Sequence, residues 1–313
     1  MRTAASYLIG MVSLLCSCSN EELLEQYEAP VPIRFSTQCI EIETKLSGAI
    51  PSNVLPEHTE ISIFSIEHPT GQPADCWNPG IFNNTLGTTD AAGDILYQNT
   101  YYFPIGNQLD FFAVYPSLQE MGTAYADQEE IELSLHEEAA AQYDLMYASL
   151  PQQSKKSEKL VFEFKHLLSQ VQISISKNAS ATVSLPLTKI EIVAPGRGIL
   201  NLWKGTLTPL AGSDTHFTLT TQADITDTPL SVGYFLLFPQ IPADFILTFG
   251  NDNAEVYYVT TAGEPTQWEA GVNYQYHIVI NRDIPAQNPA PTENADSTST
   301  ETPTENKTDS PAS

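Results

Sequence analysis

Apolar and polar residues alternate in short runs over most of the chain. Ile33 and Phe35 begin one such run, and Leu160, Phe162 and Phe164 share one parity in another. Because successive side chains of a β-strand point to opposite faces of its sheet, a period of two predicts strands with one buried face. Clusters of Gly, Pro, Asn and Asp separate the runs, as turns separate strands. The pattern predicts an all-β protein.

The extent of the strand-rich region and one polar break predict two domains. At roughly 100–200 residues per domain, the 313 residues correspond to about two. The most polar internal segment is QQSKKSEK, residues 152–159, and it marks the boundary between an N-terminal β-sandwich over 31–157 and a C-terminal β-sandwich over 158–283. Residues 284–313 are rich in Pro, Thr, Ser and Glu and hold one large aliphatic residue, so they are predicted to be a disordered tail.

The first residues combine a basic start with a short apolar run. A 12-residue apolar stretch, residues 4–15, follows Arg2, and its last residue begins the letters LCSC. It is shorter than the about 20 residues that a membrane-spanning helix needs, and no later segment is long enough either. The ending resembles a bacterial lipobox in which a small residue precedes Cys18, whereas a leucine precedes Cys16. We predict that residues 1–17 are a lipoprotein signal peptide and that Cys18 carries the lipid, diacylglycerol with an acyl chain such as palmitate. An ordinary signal peptide with incidental cysteines is the alternative.

A polar segment follows the predicted lipidation site. Residues 18–30, CSNEELLEQYEAP, are acidic and end in proline, so they are predicted to be a tether between the lipid and the fold. An acidic start directly after the lipidated cysteine resembles that of surface-exposed outer-membrane lipoproteins of the Bacteroidales. The resemblance implies a location on the outer face of the outer membrane.

Composition excludes two classes of protein. Thirteen basic against 38 acidic residues give a formal charge of −25, which repels the phosphates of nucleic acids. Four cysteines in 313 residues are too few for a disulfide scaffold. Once Cys18 is acylated, Cys39 and Cys76 either form one disulfide in an oxidising compartment or remain two buried thiols. Both alternatives stay open at this point.

Motifs for catalysis are missing from the sequence. The six histidines are scattered singly, and no GxSxG elbow, Walker loop, GxGxxG segment or HExxH helix occurs. We predict that the protein is not an enzyme and holds neither a metal nor a cofactor. His166 is predicted to be a structural histidine next to a strand. The aromatic residues between Tyr101 and Tyr115 are predicted to pack in the core, with a glycan-binding platform as the alternative.

Five segments, in chain order, resemble the fimbrillin family of Bacteroidales fimbriae, the type V pili. They are IRFSTQCIEIETKLSG, YYFPIGNQLDFFAVYPS, YDLMYAS, FEFKHLLSQVQISI, and a final pair formed by PQ at 239–240 and WEAGVNYQYHIVI. Together they extend over about residues 33–280, nearly the whole strand-rich region. Each motif is weak alone, and their shared order on a lipoprotein precursor carries the resemblance.

The resemblance implies two tandem transthyretin-like β-sandwich domains and a route of polymerisation. In this family a lipoprotein is displayed on the surface and loses its first strand to a protease. A strand of the next fimbrillin subunit then fills the groove by β-augmentation. Here the removable strand would lie near Ile33–Glu43. An Arg- or Lys-specific protease would cut after Arg34 or Lys45, with Lys45 preferred because it follows the alternating strand. Ordinary surface cations are the alternative.

The C-terminus departs from the pattern of a shaft subunit. No alternating apolar donor segment follows Ile280, so either YQYHIVI acts as the donor or the chain is an accessory subunit. Ser297 lies in Asp-Ser-Thr, which resembles an O-glycosylation site of Bacteroidales secreted proteins; a flexible solvated tail is the alternative. We predict a structural or adhesive pilus subunit, with other fimbrillin subunits, the outer membrane and a host or bacterial surface ligand as partners. The alternative is a monomeric, lipid-anchored module that binds glycans or host proteins.

Overall fold

The computed structural model consists almost entirely of β-strands, which confirms the all-β prediction. It describes residues 30–39, 54–156, 158–250, 254–261 and 265–284, and the backbone of 305–307. Within these residues the helical element is a single 3₁₀ turn, Ala139–Ala141. None of the described segments is a helix of the length and hydrophobicity that a membrane span requires. Cys18, Lys45 and Ser297 lie outside the described residues.

Seven strands of the N-terminal part close into a barrel. The strands are β1 (Phe35–Cys39), β2 (Glu60–Pro69), β3 (Thr85–Thr89), β4 (Asp94–Leu96), β5 (Asn107–Tyr115), β6 (Glu130–Ser134), β7 (Met146–Gln153) and β8 (Leu160–His166). All but β6 belong to the barrel, in the order β1-β4-β3-β2-β5-β7-β8. Its neighbouring strands are antiparallel except β1 and β8, which run parallel.

Two four-stranded sheets form the C-terminal part. Ten strands follow β8 in the described residues, and all but β11 and β12 belong to these two sheets. They are β9 (Ser169–Lys177), β10 (Leu187–Pro195), β11 (Arg197–Asn201), β12 (Thr206–Pro209), β13 (Asp214–Ala223), β14 (Leu230–Leu237), β15 (Phe245–Phe249), β16 (Glu255–Val259), β17 (Asn273–Ile280) and β18 (Glu305–Lys307). The sheet orders are β13-β10-β15-β16 and β14-β9-β17-β18. β18 lies in the segment predicted to be a disordered tail, and its three residues pair antiparallel with β17.

One strand crosses the predicted domain boundary. β6 precedes residue 157 in the chain, yet it pairs antiparallel with β11, and β12 completes this three-stranded sheet. The boundary at residues 157/158 and the tandem transthyretin-like arrangement therefore stay predictions. The described residues from Val31 onward belong to one compact unit.

Two hydrophobic cores lie on opposite faces of the barrel wall. Ile61 and Ile63 of β2 point into the barrel, and their core consists entirely of residues between Ile33 and Phe164. Phe64 and Ile66 point outward and join a second core with the C-terminal sheets. Because both faces of β2 are covered, all six residues of the run ISIFSI are buried instead of every second one. We call the two cores the barrel core and the shared core.

Candidate functional site

β1 closes the barrel, and its position makes it the candidate functional element. It pairs antiparallel with β4, with Phe35 opposite Ile95, and parallel with β8, with Phe35 opposite Leu160. No direct pairing joins β4 to β8 within the described residues. A closed barrel has no exposed edges, and removing one strand creates two. β1 is thus a single strand between two edges that it alone satisfies.

The buried face of β1 follows the alternation that the sequence predicts. Ile33, Phe35, Thr37 and Cys39 are 1 %, 1 %, 3 % and 6 % exposed, whereas the residues between them point outward. Each inward side chain lies in the barrel core or, for Thr37, is hydrogen-bonded there. The strand thus contributes a row of small and large side chains, at every second position, to the barrel core.

Phe35 is the centre of an aromatic cluster. Its ring centroid lies 4.8 Å from that of Phe162 on β8 and 5.0 Å from that of Phe111 on β5. Phe82 and Tyr97 complete the set at 5.5 and 6.2 Å. Such aromatic pairs contribute about 0.5–1.5 kcal/mol each beyond their buried area. The largest buried side chain of β1 thus packs against four aromatic rings.

Polar contacts hold the segment before β1 and the middle of the strand. The Ile33 N–H donates to the Tyr101 carbonyl at 2.8 Å, and the Thr37 N–H donates to the Gly93 carbonyl at 2.8 Å. The Thr37 hydroxyl also donates to the Gly93 carbonyl and accepts the Leu55 N–H, each at 3.2 Å. Gly93 has φ = +78°, and a Cβ there would lie 2.8 Å from a Val54 side-chain atom, so glycine is required at this close approach.

An ion pair crosses the outer face of β1. Lys159 directly precedes β8 and Asp94 begins β4, yet the Lys159 ammonium contacts the Asp94 carboxylate. Since β1 lies between β4 and β8, the pair spans the outer face of β1, from Asp94 beside Ser36 to Lys159, which directly precedes Leu160, the partner of Phe35. Both side chains are partly exposed, so solvent screens their attraction. We call this ion pair between Lys159 and Asp94 the latch.

The two cationic residues proposed as cleavage sites have different outcomes. Arg34 is exposed and directly precedes β1, and its carbonyl accepts the Leu160 N–H at 2.8 Å. Lys45 lies outside the described residues. Cleavage after either residue remains a prediction.

Cys39 and Cys76 are free thiols in the structure. Cys39 lies in the barrel core, and burial, with a smaller contribution from the Asp144 carboxylate, raises its pKa to about 11. Cys76 is exposed, between Ala74 and Trp77, which pack against the shared core. The disulfide considered from the sequence is therefore not present in this structure. The alternative of two buried thiols holds for Cys39 and is corrected for Cys76.

Two histidine–carboxylate pairs support the barrel. His166 at the end of β8 lies 2.7 Å from the Asp144 carboxylate through Nδ1, and both side chains are largely buried. His68 Nε2 lies 3.1 Å from Asp110 Oδ1, which also accepts the Gln152 N–H at 2.6 Å. Sequence reasoning missed His68 and Asp110. The signal was the parity of β2, which places His68 on the same face as the outward core residues.

The aromatic residues between Tyr101 and Tyr115 do not form a common surface. Phe111 belongs to the barrel core and its neighbour Phe112 to the shared core, on opposite faces of β5. Tyr101, Phe103 and Tyr115 pack against the barrel core. Among the residues that the structure describes, no group of three or more His, Cys, Asp or Glu side chains could hold a metal ion.

Comparison with known families and structures gives a consistent result. A family model described as fimbrillin-like matches residues 49–302. A structure of a candidate cell adhesion protein from Bacteroides uniformis superimposes with a TM-score of 0.59 at 20 % identity, covering 82 % of this chain and 94 % of that one. Another from Bacteroides ovatus gives 0.57 at 17 % identity, covering 90 % and 97 %. A search of curated proteins finds no match.

Proposed function

This chain belongs to the fimbrillin-like family, and on that premise we propose that it is a fimbrial subunit or accessory subunit that serves cell adhesion. It is exported as a lipoprotein with lipid on Cys18, anchored in the outer membrane and displayed on the cell surface. It assembles with other fimbrillin subunits by proteolytic removal of β1 and insertion of a donor strand. The observation that carries this proposal is the position of β1 as the strand that closes the barrel.

The slot that β1 would leave suits one extended strand. Its floor is aromatic, formed by Phe82, Phe111 and Phe162, and its two walls are the backbones of β4 and β8. In β-augmentation the backbone hydrogen bonds supply affinity, and pockets for alternate side chains supply specificity. A donor strand with a large apolar residue at the position of Phe35 and smaller ones on either side would restore the barrel core.

The position of the cut decides whether the slot opens. Arg34 precedes Phe35, so cleavage after Arg34 leaves all of β1 attached to the rest of the chain. Cleavage after Lys45 separates β1 from everything that follows it. We therefore propose Lys45 as the processing site, and we expect cleavage at Arg34 alone to leave the barrel closed.

β17 is a poor candidate for the donor strand. It pairs in parallel with β9 over eight positions and buries Tyr276, Ile278 and Ile280 in the shared core. Donating it would open the C-terminal sheet. The donor for the slot of β1 is thus expected from a neighbouring subunit through a segment other than its β17.

The experiment is N-terminal and intact-mass analysis of the protein from its native cell surface, with Lys45→Gln and Arg34→Gln variants. Wild type and Arg34→Gln are expected to begin at Leu46 and to form ladders on unboiled gels, whereas Lys45→Gln is expected to stay unprocessed and outside the polymer. A surface protein that keeps residues 19–45 and its lipid on Cys18 while remaining monomeric would contradict the assembly proposal. It would favour a lipid-anchored binding module instead. The same spectra test glycosylation of Ser297.

A further inference from the structure

A groove opens where the hairpin of β3 and β4 splays apart. The two strands pair only through Thr88–Leu96 and Thr89–Ile95, so the start of β3 and the segment after β4 diverge. The cavity between them has a volume of about 480 Å³, within the range of about 300–1,000 Å³ that is typical of ligand sites. We call it the β3–β4 groove. It is lined by Leu86, Leu96, Tyr97, Gln98, Asn99 and Tyr101, with two threonines of β3.

The lining of the groove carries no charged side chain, in a chain with 38 acidic and 13 basic residues. Gln98 and Asn99 are exposed, and each amide offers both donors and an acceptor. Leu96 is 59 % and Leu86 37 % exposed, which leaves an apolar wall open to solvent. The groove thus places uncharged hydrogen-bonding groups beside apolar and aromatic surface.

The aromatic part of the groove is held in place by the barrel core. The Tyr101 and Tyr97 rings lie 4.3 and 5.5 Å from the ring of Phe82, which is fully buried. The Tyr97 hydroxyl donates to the Ile33 carbonyl, and burial raises its pKa to about 12. Rings that are fixed before a ligand arrives lose little conformational entropy on binding.

The chemistry of the lining selects the class of ligand. An anion would find no cation in the groove and would be repelled by the net charge of the protein. A purely apolar ligand would cover the two amides without satisfying their hydrogen bonds. A pyranose ring has an apolar C–H face and a rim of neutral hydroxyls, and it satisfies both parts of the lining. We propose that the β3–β4 groove binds a neutral saccharide.

This inference does not depend on the fimbrial proposal, but the groove contacts the segment that the proposed processing would remove. The Ile33 N–H is bonded to the Tyr101 carbonyl, and the Ile33 carbonyl accepts the Tyr97 hydroxyl. Ile33, two residues before β1, is therefore hydrogen-bonded to both tyrosines of the groove. Saccharide binding is expected of the chain that retains β1, which is the form to be tested.

The experiment screens the purified protein with β1 retained on immobilised neutral, sialylated and sulfated oligosaccharides, followed by calorimetric titration of the best soluble binder. The test variant is Gln98→Ala with Asn99→Ala. The matched control removes two exposed amides elsewhere, Gln119→Ala with Gln222→Ala. All four positions are on the surface, so both variants are expected to unfold at the wild-type temperature.

The expected result is binding to neutral members of the panel that weakens at least about tenfold in the test variant and stays unchanged in the control. Three results would overturn the proposal: no binding to any neutral oligosaccharide, preferred binding of sialylated or sulfated members, or equal weakening in both variants. Because processing is not required for this assay, its outcome is independent of whether Lys45 is cleaved.

Discussion

β1 and β17 are both paired in parallel with a neighbouring strand, but they belong to different kinds of core. β1 lies in the barrel core, which is formed only by residues between Ile33 and Phe164. β17 lies in the shared core, which extends from the C-terminal sheets to the outer wall of the barrel. Exchanging β1 therefore disturbs one self-contained core, whereas removing β17 disturbs both parts of the molecule. The difference favours β1 over β17 as the strand that is exchanged in the proposed assembly.

The largest expected effect tests this contrast directly. Phe35→Ala should destabilise the unprocessed subunit by about 3–5 kcal/mol, because it leaves a cavity in the aromatic cluster, and Ile278→Ala should cost about 2–5 kcal/mol in the shared core. In the assembled, strand-exchanged polymer the effect of Phe35→Ala should vanish, because β1 is no longer present. Urea unfolding of the monomer and of the polymer measures the loss of stability in each state.

Ile278→Ala is the matched control in the same assay, and its cost should persist in the polymer. An equal cost of Phe35→Ala before and after assembly would show that β1 stays in the barrel. In that case the slot is never opened.

A smaller effect is expected from the polar attachment of β1. Thr37→Val keeps the shape of the side chain but deprives the Leu55 N–H of its acceptor, which should cost about 1–3 kcal/mol. The comparison is Thr188→Val in the C-terminal part, where the hydroxyl only donates, to the Thr248 and Gly250 carbonyls. No N–H loses its acceptor there, so we expect about 0.5–1.5 kcal/mol. Equal losses in urea unfolding would contradict this assignment.

The alternation of apolar residues was sufficient to predict the strands that have one buried face. The shared inward face of Ile33 and Phe35, and that of Leu160, Phe162 and Phe164, follows from the local pattern alone. The pairing partners could not be predicted, because β1–β8 and β6–β11 bring together residues more than sixty positions apart. Local sequence carries no record of such contacts.

Only part of the candidate site could be predicted, because the rest depends on pairing between distant strands. The first strand was identified by its pattern and by resemblance to a family. The latch between Lys159 and Asp94 was not, because a surface lysine and an aspartate in a turn are indistinguishable from ordinary charges until the strand order is known. The β3–β4 groove likewise depends on where a hairpin stops pairing, which residue types do not specify.

The pH dependence of stability should separate the two thiols. Cys39 has a folded pKa raised from 9.0 to about 11, so between these values the unfolded chain has released a proton that the folded chain retains. The contribution of Cys39 to the free energy of unfolding is then fully present below about pH 9 and is lost as the pH rises to about 11. The difference in urea midpoint between wild type and Cys39→Ala isolates this contribution from that of the tyrosines. The adjacent Asp75 raises the pKa of the exposed Cys76, but it stays beside Cys76 in the unfolded chain, so a Cys76→Ser variant should keep the wild-type dependence. A constant difference for Cys39→Ala would refute the burial argument.

We expect loss of the latch to have the smallest effect on stability and a larger effect on the rate at which β1 opens locally. A partly exposed ion pair contributes about 0–1 kcal/mol, so Lys159→Gln should barely change the urea midpoint. Yet the pair crosses β1 and must open before the strand can leave, so its loss should speed local opening.

Labelling of Cys39 by a thiol reagent in a Cys76→Ser background, read by mass spectrometry, measures that opening. Lys156→Gln, an equal charge change on the neighbouring exposed segment, is the control and should label at the parental rate. If Cys39 reacts at one rate in both variants, the strand does not depend on the latch, and release of β1 is limited by the aromatic pocket around Phe35 alone.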